Sequence, residues 1–314
     1  MPGTDPAEAM RVIVGELPGF PHLPELPGRG PGADIIGRTA ALLVDMPVET
    51  TPRGWRLAER PGRDLARAKS MLSTDLDVME EALQGYAGPL KIQVCGPWTL
   101  AATIELTRTM DAALRDPGAV SDLTGSLAEG VARRVADVSE RVPNAQLVLQ
   151  VDEPALSAVT NGEVPTASGI SRLPAIEIET IRDRLGQVLA NTTAYTLVHC
   201  CATGVRFEII RTAGANAVSF DLSLLRRGEV DTVAELAEAG MGLFVGVGEE
   251  EAPKQTAERV IRLWQRMGFR PKPEQTVITP ACGLANAAPD RARADLKRCR
   301  EAAAILPEMG AQYE

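Results

Sequence analysis

Residues 195–223, YTLVHCCATGVRFEIIRTAGANAVSFDLS, place a histidine and two cysteines at the end of one apolar run and a lone aspartate at the end of the next, in a chain with two histidines in all. His199 and Cys201 are two residues apart, so on an extended strand end they project to one side while Cys200 projects to the other. Asp221 closes the run NAVSFD (216–221), and Cys282 closes TVITPAC (276–282). One imidazole, two thiolates and one carboxylate form a four-ligand set of borderline-soft character, which zinc accepts and magnesium or calcium does not. Taken singly, a histidine beside an apolar strand is ordinarily a hydrogen-bonded core residue, and a buried free cysteine a small hydrophobe. Taken together at successive strand ends, His199, Cys201, Asp221 and Cys282 predict a zinc site. Three anionic ligands around a divalent ion make a poor electrophile toward carbonyls. Such a site suits ionising a soft incoming ligand: a free thiol titrates near ~8.5, and coordination removes its proton while leaving the sulfur nucleophilic. That is chemistry for alkylating a thiol.

The elements that must position these groups are legible in outline. Short β-branched runs recur at RVIVGE (11–16), KIQVCG (91–96), QLVLQVDE (146–153), YTLVHC (195–200), NAVSFD (216–221), GLFVGV (242–247) and TVITPAC (276–282), and TPRGWRLAE (51–59) supplies a weaker eighth. Helical stripes lie between them. After Asp116 as N-cap and Pro117 as first helical residue, Val120, Leu123, Leu127, Val131, Val135 and Val138 recur at spacings of three and four. Ile178, Ile181, Leu185 and Leu189 form another stripe, as do Val260, Leu263, Trp264 and Met267 with Gly268 as a stop, and Ala292, Leu296, Cys299, Ala303 and Leu306. Repeated strand–helix alternation predicts an α/β fold, a parallel (β/α)8 TIM barrel in one domain spanning 1–314, with an open doubly wound sheet as the alternative. In such a barrel the strand ends share one mouth, so Asp152, Glu153, His199, Cys201, Asp221 and Cys282 converge there. The segment 15–32 carries five prolines in eighteen residues. It is expected as a Pro/Gly-rich loop over the barrel mouth, or as a solvated tether.

Composition narrows the partners. The chain has 314 residues with 33 basic and 42 acidic side chains, a net charge of −9 without a Lys/Arg-rich block, which argues against nucleic acid and an anionic membrane as the main partner. A small molecule is the expected ligand. No apolar run approaches the ~18 residues of a membrane helix, and the N-terminal residues lack a signal pattern, so a cytoplasmic location is expected. Five cysteines without framework spacing are expected as thiols, metal ligands or core residues rather than disulfides.

The segments LQVDEPAL (149–156), VHCC (198–201), AVSFDLS (217–223), ITPACGL (278–284) and CGPWTLA (95–101) resemble, in order and spacing, the C-terminal catalytic barrel of cobalamin-independent methionine synthase, and VGELPGFP (14–21) resembles its first strand and loop more loosely. The resemblance implies a zinc ion held by His199, Cys201, Asp221 and Cys282 that activates homocysteine, with Asp152 holding the substrate amino group and Glu153 assisting. Asp221 stands where that family has glutamate, one methylene longer. No counterpart of that family's preceding second barrel is expected, and its histidine after the seventh strand is replaced within VGEEEAP (247–253), where Glu251 takes its place as a catalytic candidate. These departures favour a methylated corrinoid as donor, either methylcobalamin or a corrinoid protein, over folate. The implied reaction is methyl transfer to homocysteine, giving methionine. Two other readings remain: a methyltransferase for another small thiol such as coenzyme M, as in the uroporphyrinogen decarboxylase superfamily, and a barrel that binds a thiol or amino acid without turnover.

Other residues stay open between two roles. Glu16 either faces the substrate pocket or sits at the hinge of the loop, and Trp98 either packs on substrate or fills the core. The run Glu249–Glu251 reads as a solvated helix start ahead of Pro253 or as part of the site. His22 has no partner nearby in sequence.

Overall fold

The computed structural model describes residues 1–248 and 252–311. Its strands are β1 (Val48–Thr51), β2 (Gly54–Leu57), β3 (Gly88–Cys95), β4 (Ala145–Asp152), β5 (Tyr195–His199), β6 (Ala217–Asp221), β7 (Gly242–Val247) and β8 (Thr276–Pro280). Its helices are α1 (Pro6–Glu16), α2 (Ile35–Ala40), α3 (Arg63–Ala82), α4 (Pro97–Thr103), α5 (Pro117–Arg141), α6 (Leu156–Asn161), α7 (Ile178–Ala190), α8 (Phe207–Thr212), α9 (Val230–Glu238), α10 (Pro253–Arg266) and α11 (Pro289–Ala311). Strands β3 to β8 form one parallel sheet in simple sequential order, with helices in every crossover. Such order is what βαβ units of uniform hand generate.

The sheet curls. Val148 of β4, Leu197 of β5, Ala217 of β6 and Phe244 of β7 form a small cluster of their own, with Phe20 and Val277 packed against it. Phe20 meets Phe244 edge-on, ring centroids 6.1 Å apart. The opposite face carries the main core, in which Leu90, Ile92 and Val94 of β3 and the stripe of α5 are buried. Alternation along the strands therefore separates an outward apolar layer from an inward set whose upper members are polar.

Two expected barrel strands take other forms. RVIVGE is the second half of α1: Asp5 caps it by accepting from the amides of Ala7 (2.9 Å) and Glu8 (3.3 Å), Pro6 is its first residue, and Ala9, Met10, Ile13 and Glu16 are buried at helical spacing. TPRGWRLAE lies in the β1–β2 hairpin, an antiparallel pair in which Thr51 faces Gly54 across a two-residue turn. The hairpin is tied by Trp55 and Leu57 to the backbone of Glu105, away from the large sheet. The sheet accordingly has six strands among the described residues, where eight are expected. The 15–32 segment runs beside β3. Lys91 donates its amide to Pro21 and accepts from Leu23, forming an isolated parallel bridge at His22. No pairing joins β8 to that segment among the described residues.

The other helical stripes agree with expectation, with local exceptions. All six stripe residues of α5 are buried behind the Asp116 cap. In α7 Ile178 is exposed, and in α11 the stripe takes Ala302 rather than Ala303. The glycines of α5 separate two physical cases. A Cβ on Gly130 would lie 2.1 Å from the Leu42 carbonyl oxygen, whereas one on Gly125 would meet nothing closer than Gln187 Nε2 at 3.8 Å. Gly130→Ala is expected to lower stability by about 1–3 kcal/mol through overpacking, and Gly125→Ala to raise it by up to about 1 kcal/mol through helix propensity. Urea denaturation of the two variants checks the opposite signs.

Candidate functional site

Inside the curl lies a cavity of about 650 Å³, walled by the inner faces of β3 to β8, by Leu17–Glu25 and by α11. Register determines what enters it. Asp152 pairs with His199, and His199 with Ser219, so the three stand side by side on adjacent strands. Two residues on, the chain presents Cys201, and the turn after β8 presents Cys282. One donor atom from each of His199, Cys201 and Cys282 lies within 4.8 Å of the others, a grouping able to hold a metal ion. The two Sγ atoms are 3.7 Å apart. Cys282 is exposed and the other two half-buried, so the group is open on one side. His199 Nδ1 is 2.9 Å from Ser219 Oγ. That contact orients the ring and leaves Nε2 to face a ligand. Contact with Cys201 and His199 pulls the Cys282 thiol well below the usual thiol range and drives Cys201 up, so the two sulfurs share one proton. Cys200 is buried on the far side, as the two-residue alternation requires, and Cys95 and Cys299 are buried too.

Asp221 is not part of this group. It ends β6, and its Oδ1 accepts from the Ser223 amide (2.8 Å) and hydroxyl (2.7 Å), a local turn that a short side chain makes readily.

Asp152 lines the cavity at 6% exposure, and its carboxylate accepts from Gln150 Nε2 at 2.6 Å. Burial pushes its pKa up to about 6, with His199 the main opposing influence. Its neighbour Glu153 points the other way and is fully buried. It accepts from the amides of Trp98 (2.9 Å) and Thr99 (2.8 Å) and from Thr99 Oγ1 (2.6 Å), holding the first turn of α4. Gly96 leaves it room, since a Cβ there would lie 2.3 Å from Glu153 Oε1. A carboxylate engaged in this way positions α4 rather than reacting.

Two residues left open between substrate contact and a structural role take positions away from the cavity. Trp98 is a core residue, 1% exposed, with its indole N–H donated to the Ile181 carbonyl at 2.9 Å. Glu16 closes α1 against α11, paired with Arg293 (2.7 Å) and Arg300 (3.2 Å), and these cations hold its carboxyl below the usual range. Neither faces the cavity. Glu251 and its two neighbours lie outside the described residues. Residues missed as cavity groups are Lys91 and Gln93 on β3, Gln150 on β4 and Ser219 on β6. Their signal was polar side chains at alternate positions of otherwise apolar strands.

The sequence profile described as "Cobalamin-independent synthase, Catalytic domain" matches residues 1–305. Among solved structures, a B12-independent methionine synthase from Shewanella sp. W3-18-1, in complex with selenomethionine, aligns at a TM-score of 0.62 with 11% identity, over 98% of this chain and 89% of that one. Mandelate oxidase structures align over 98% of this chain and 95% of theirs at 14–16% identity, but with TM-scores of 0.34 and 0.35 they carry no weight for the fold. No curated protein matches the chain.

Removing the Glu153 carboxylate orphans three buried donors. Glu153→Ala is therefore expected to cost about 3 kcal/mol or more of folding stability, read by chemical denaturation. Loss of turnover at unchanged stability would return Glu153 to the chemistry.

Proposed function

Because the chain belongs to the family of cobalamin-independent synthase catalytic domains, we propose that it methylates a thiol, with homocysteine as acceptor and methionine as product. The observation that carries this reading is the meeting of His199, Cys201 and Cys282 in the cavity that Asp152 also lines. With the synthase-like fold, we read β3 to β8 as six staves of a single (β/α)8-type barrel and the His22 segment as a further one. The Shewanella enzyme's selenomethionine complex fits a ligand of this size and class.

The metal we propose is zinc. Two sulfur ligands at about 2.3 Å in a tetrahedral arrangement lie about 3.8 Å apart, close to the 3.7 Å between Cys201 and Cys282. Bound there, zinc would supply the lowering of a thiol's pKa that makes sulfur a nucleophile at neutral pH. His199 is oriented for this by Ser219, and the open side next to Cys282 gives the acceptor its approach. Asp152 takes the substrate ammonium, its buried carboxylate having a single side-chain donor, Gln150, to compete with. We propose a methylated corrinoid, methylcobalamin or a corrinoid protein, as donor. A cytoplasmic setting suits five free thiols, and no helix among the described residues is long and apolar enough to cross a membrane.

Metal analysis tests the site directly. Stoichiometric zinc is expected, lost in Cys201→Ser, Cys282→Ser and His199→Ala but kept in Asp221→Ala. Zinc lost on Asp221→Ala would restore a four-ligand set, and metal-free protein that methylates homocysteine with methylcobalamin would overturn the reading. The pH dependence tests Asp152. An ammonium binds its ionised form, so affinity for methionine is expected to be level above a pH of about 6 and to fall toward tenfold per unit below it. Loading a cation nearby moves that limb lower. Calorimetric titration across about pH 5 to 8 reads both effects, and Asp152→Asn should remove the limb.

A further inference from the structure

The polar groups that line the cavity include two opposite charges, on Lys91 and Asp152, that no ion pair joins among the described residues. Lys91, inward on β3, and Asp152, inward on β4, both line it. The register sets Lys91 against Val148, and Asp152 lies four residues further along the same strand. Among the described residues no ion pair joins the two, and Lys91 has no ion pair at all; its ammonium reaches Gln93 Oε1 at 3.4 Å. Asp152 has the Gln150 amide. Glu25, also in the lining, is engaged with Arg38 at 3.4 Å, and the Met1 ammonium donates to the Glu25 carbonyl at 2.7 Å. His22, also in this wall, is held neutral by burial and by the proximity of Lys91, so it neither competes for an anion nor offers one. Two separated, unpaired charges of opposite sign in one largely apolar chamber are costly unless a ligand bridges them.

We infer that Lys91 and Asp152 together select a zwitterionic thiol, Lys91 receiving the carboxylate and Asp152 the ammonium of an α-amino acid whose sulfur faces His199, Cys201 and Cys282. This rests on the proposed function and narrows it, making Lys91 the specificity residue that separates an amino-acid thiol from a simple aminothiol or thiol acid. Gln93, bound through Nε2 to the Leu23 carbonyl at 2.8 Å, presents its oxygen to Lys91 and keeps the ammonium turned toward the cavity.

The test is binding, independent of any methyl donor. Calorimetric titration of the wild-type protein with L-homocysteine, with 3-aminopropane-1-thiol, which lacks the carboxylate, and with 4-sulfanylbutanoate, which lacks the ammonium, should show homocysteine tighter than either by at least about tenfold, the scale of one charge-assisted contact. Lys91→Met should lose that advantage over the aminothiol while binding the aminothiol as the wild type does, and Asp152→Asn should show the mirror pattern with the thiol acid. Equal wild-type affinity for homocysteine and the aminothiol overturns the assignment whatever the variants do. So does a Lys91→Met protein that weakens both ligands alike, the mark of a structural role. Wild-type protein that binds none of the three overturns the parent reading as well, which separates the two failures.

Discussion

The inward ladder across β4, β5 and β6 is the constraint on which the rest depends. Parallel pairing sets Asp152 beside His199 and His199 beside Ser219. A slip of one residue would turn each of these outward into the helix layer and bring Val151, Val198 and Val218 inward, because side chains alternate along a strand. The outward layer resists such a slip. Val151, Val198 and Val218 are all completely buried against the helices, and exposing even one would cost about 1.5–3 kcal/mol. The polar site is thus held in place by apolar residues that never touch it. The Ser219 contact to His199 costs the sheet nothing, since both residues already face the same space.

The same alternation divides the adjacent carboxylates of the Asp-Glu pair. Asp152 points into the cavity and Glu153 out of it, and burial raises the pKa of both, to about 6 and about 7. Environment rather than residue type then assigns their work. Glu153 meets three donors at the start of α4, a geometry that satisfies a carboxylate within the protein. Asp152 has one side-chain donor and open space, which leaves lone pairs for a ligand. A pair that sequence reasoning treats as one catalytic unit is split into a structural clamp and a binding group by a single step along the chain.

How much could be read beforehand follows from the range over which each signal acts. The α5 helix was legible because Asp116, Pro117 and a long apolar stripe agree. The α1 helix carries the same start signal in Asp5 and Pro6, yet its β-branched run RVIVGE satisfies a strand template equally well, and short apolar runs do not decide between the two. Misplacing that run also misplaced Glu16, which ends a helix and meets arginines of α11 rather than a substrate. Those partners lie more than 270 residues away in sequence, a distance no local pattern spans. His199, Cys201 and Cys282 were found because soft ligands at strand ends stand out in a chain with so few of them. Lys91 and Gln93 were passed over because alternating polar residues on a strand such as β3, first in the sheet order, look like an exposed face until the curl of the sheet encloses them.

The difference between three and four ligands changes the electrostatics of the proposed centre. With Asp221 engaged by Ser223, two thiolates would balance a bound divalent ion and make the proposed centre neutral, whereas a third anion would leave it negative. A neutral centre held by His199, Cys201 and Cys282 would attract an incoming thiolate more strongly than an anionic one. Beside such a centre, Asp152 and Lys91 add one charge of each sign and leave the chamber's sum unchanged, so a zwitterion enters without bringing net charge into a low-dielectric space. A simple thiol acid or aminothiol would bring a net charge into the chamber and leave one of the two protein charges unpaired. The chamber's charge balance therefore discriminates by what each ligand fails to neutralise as much as by what it touches.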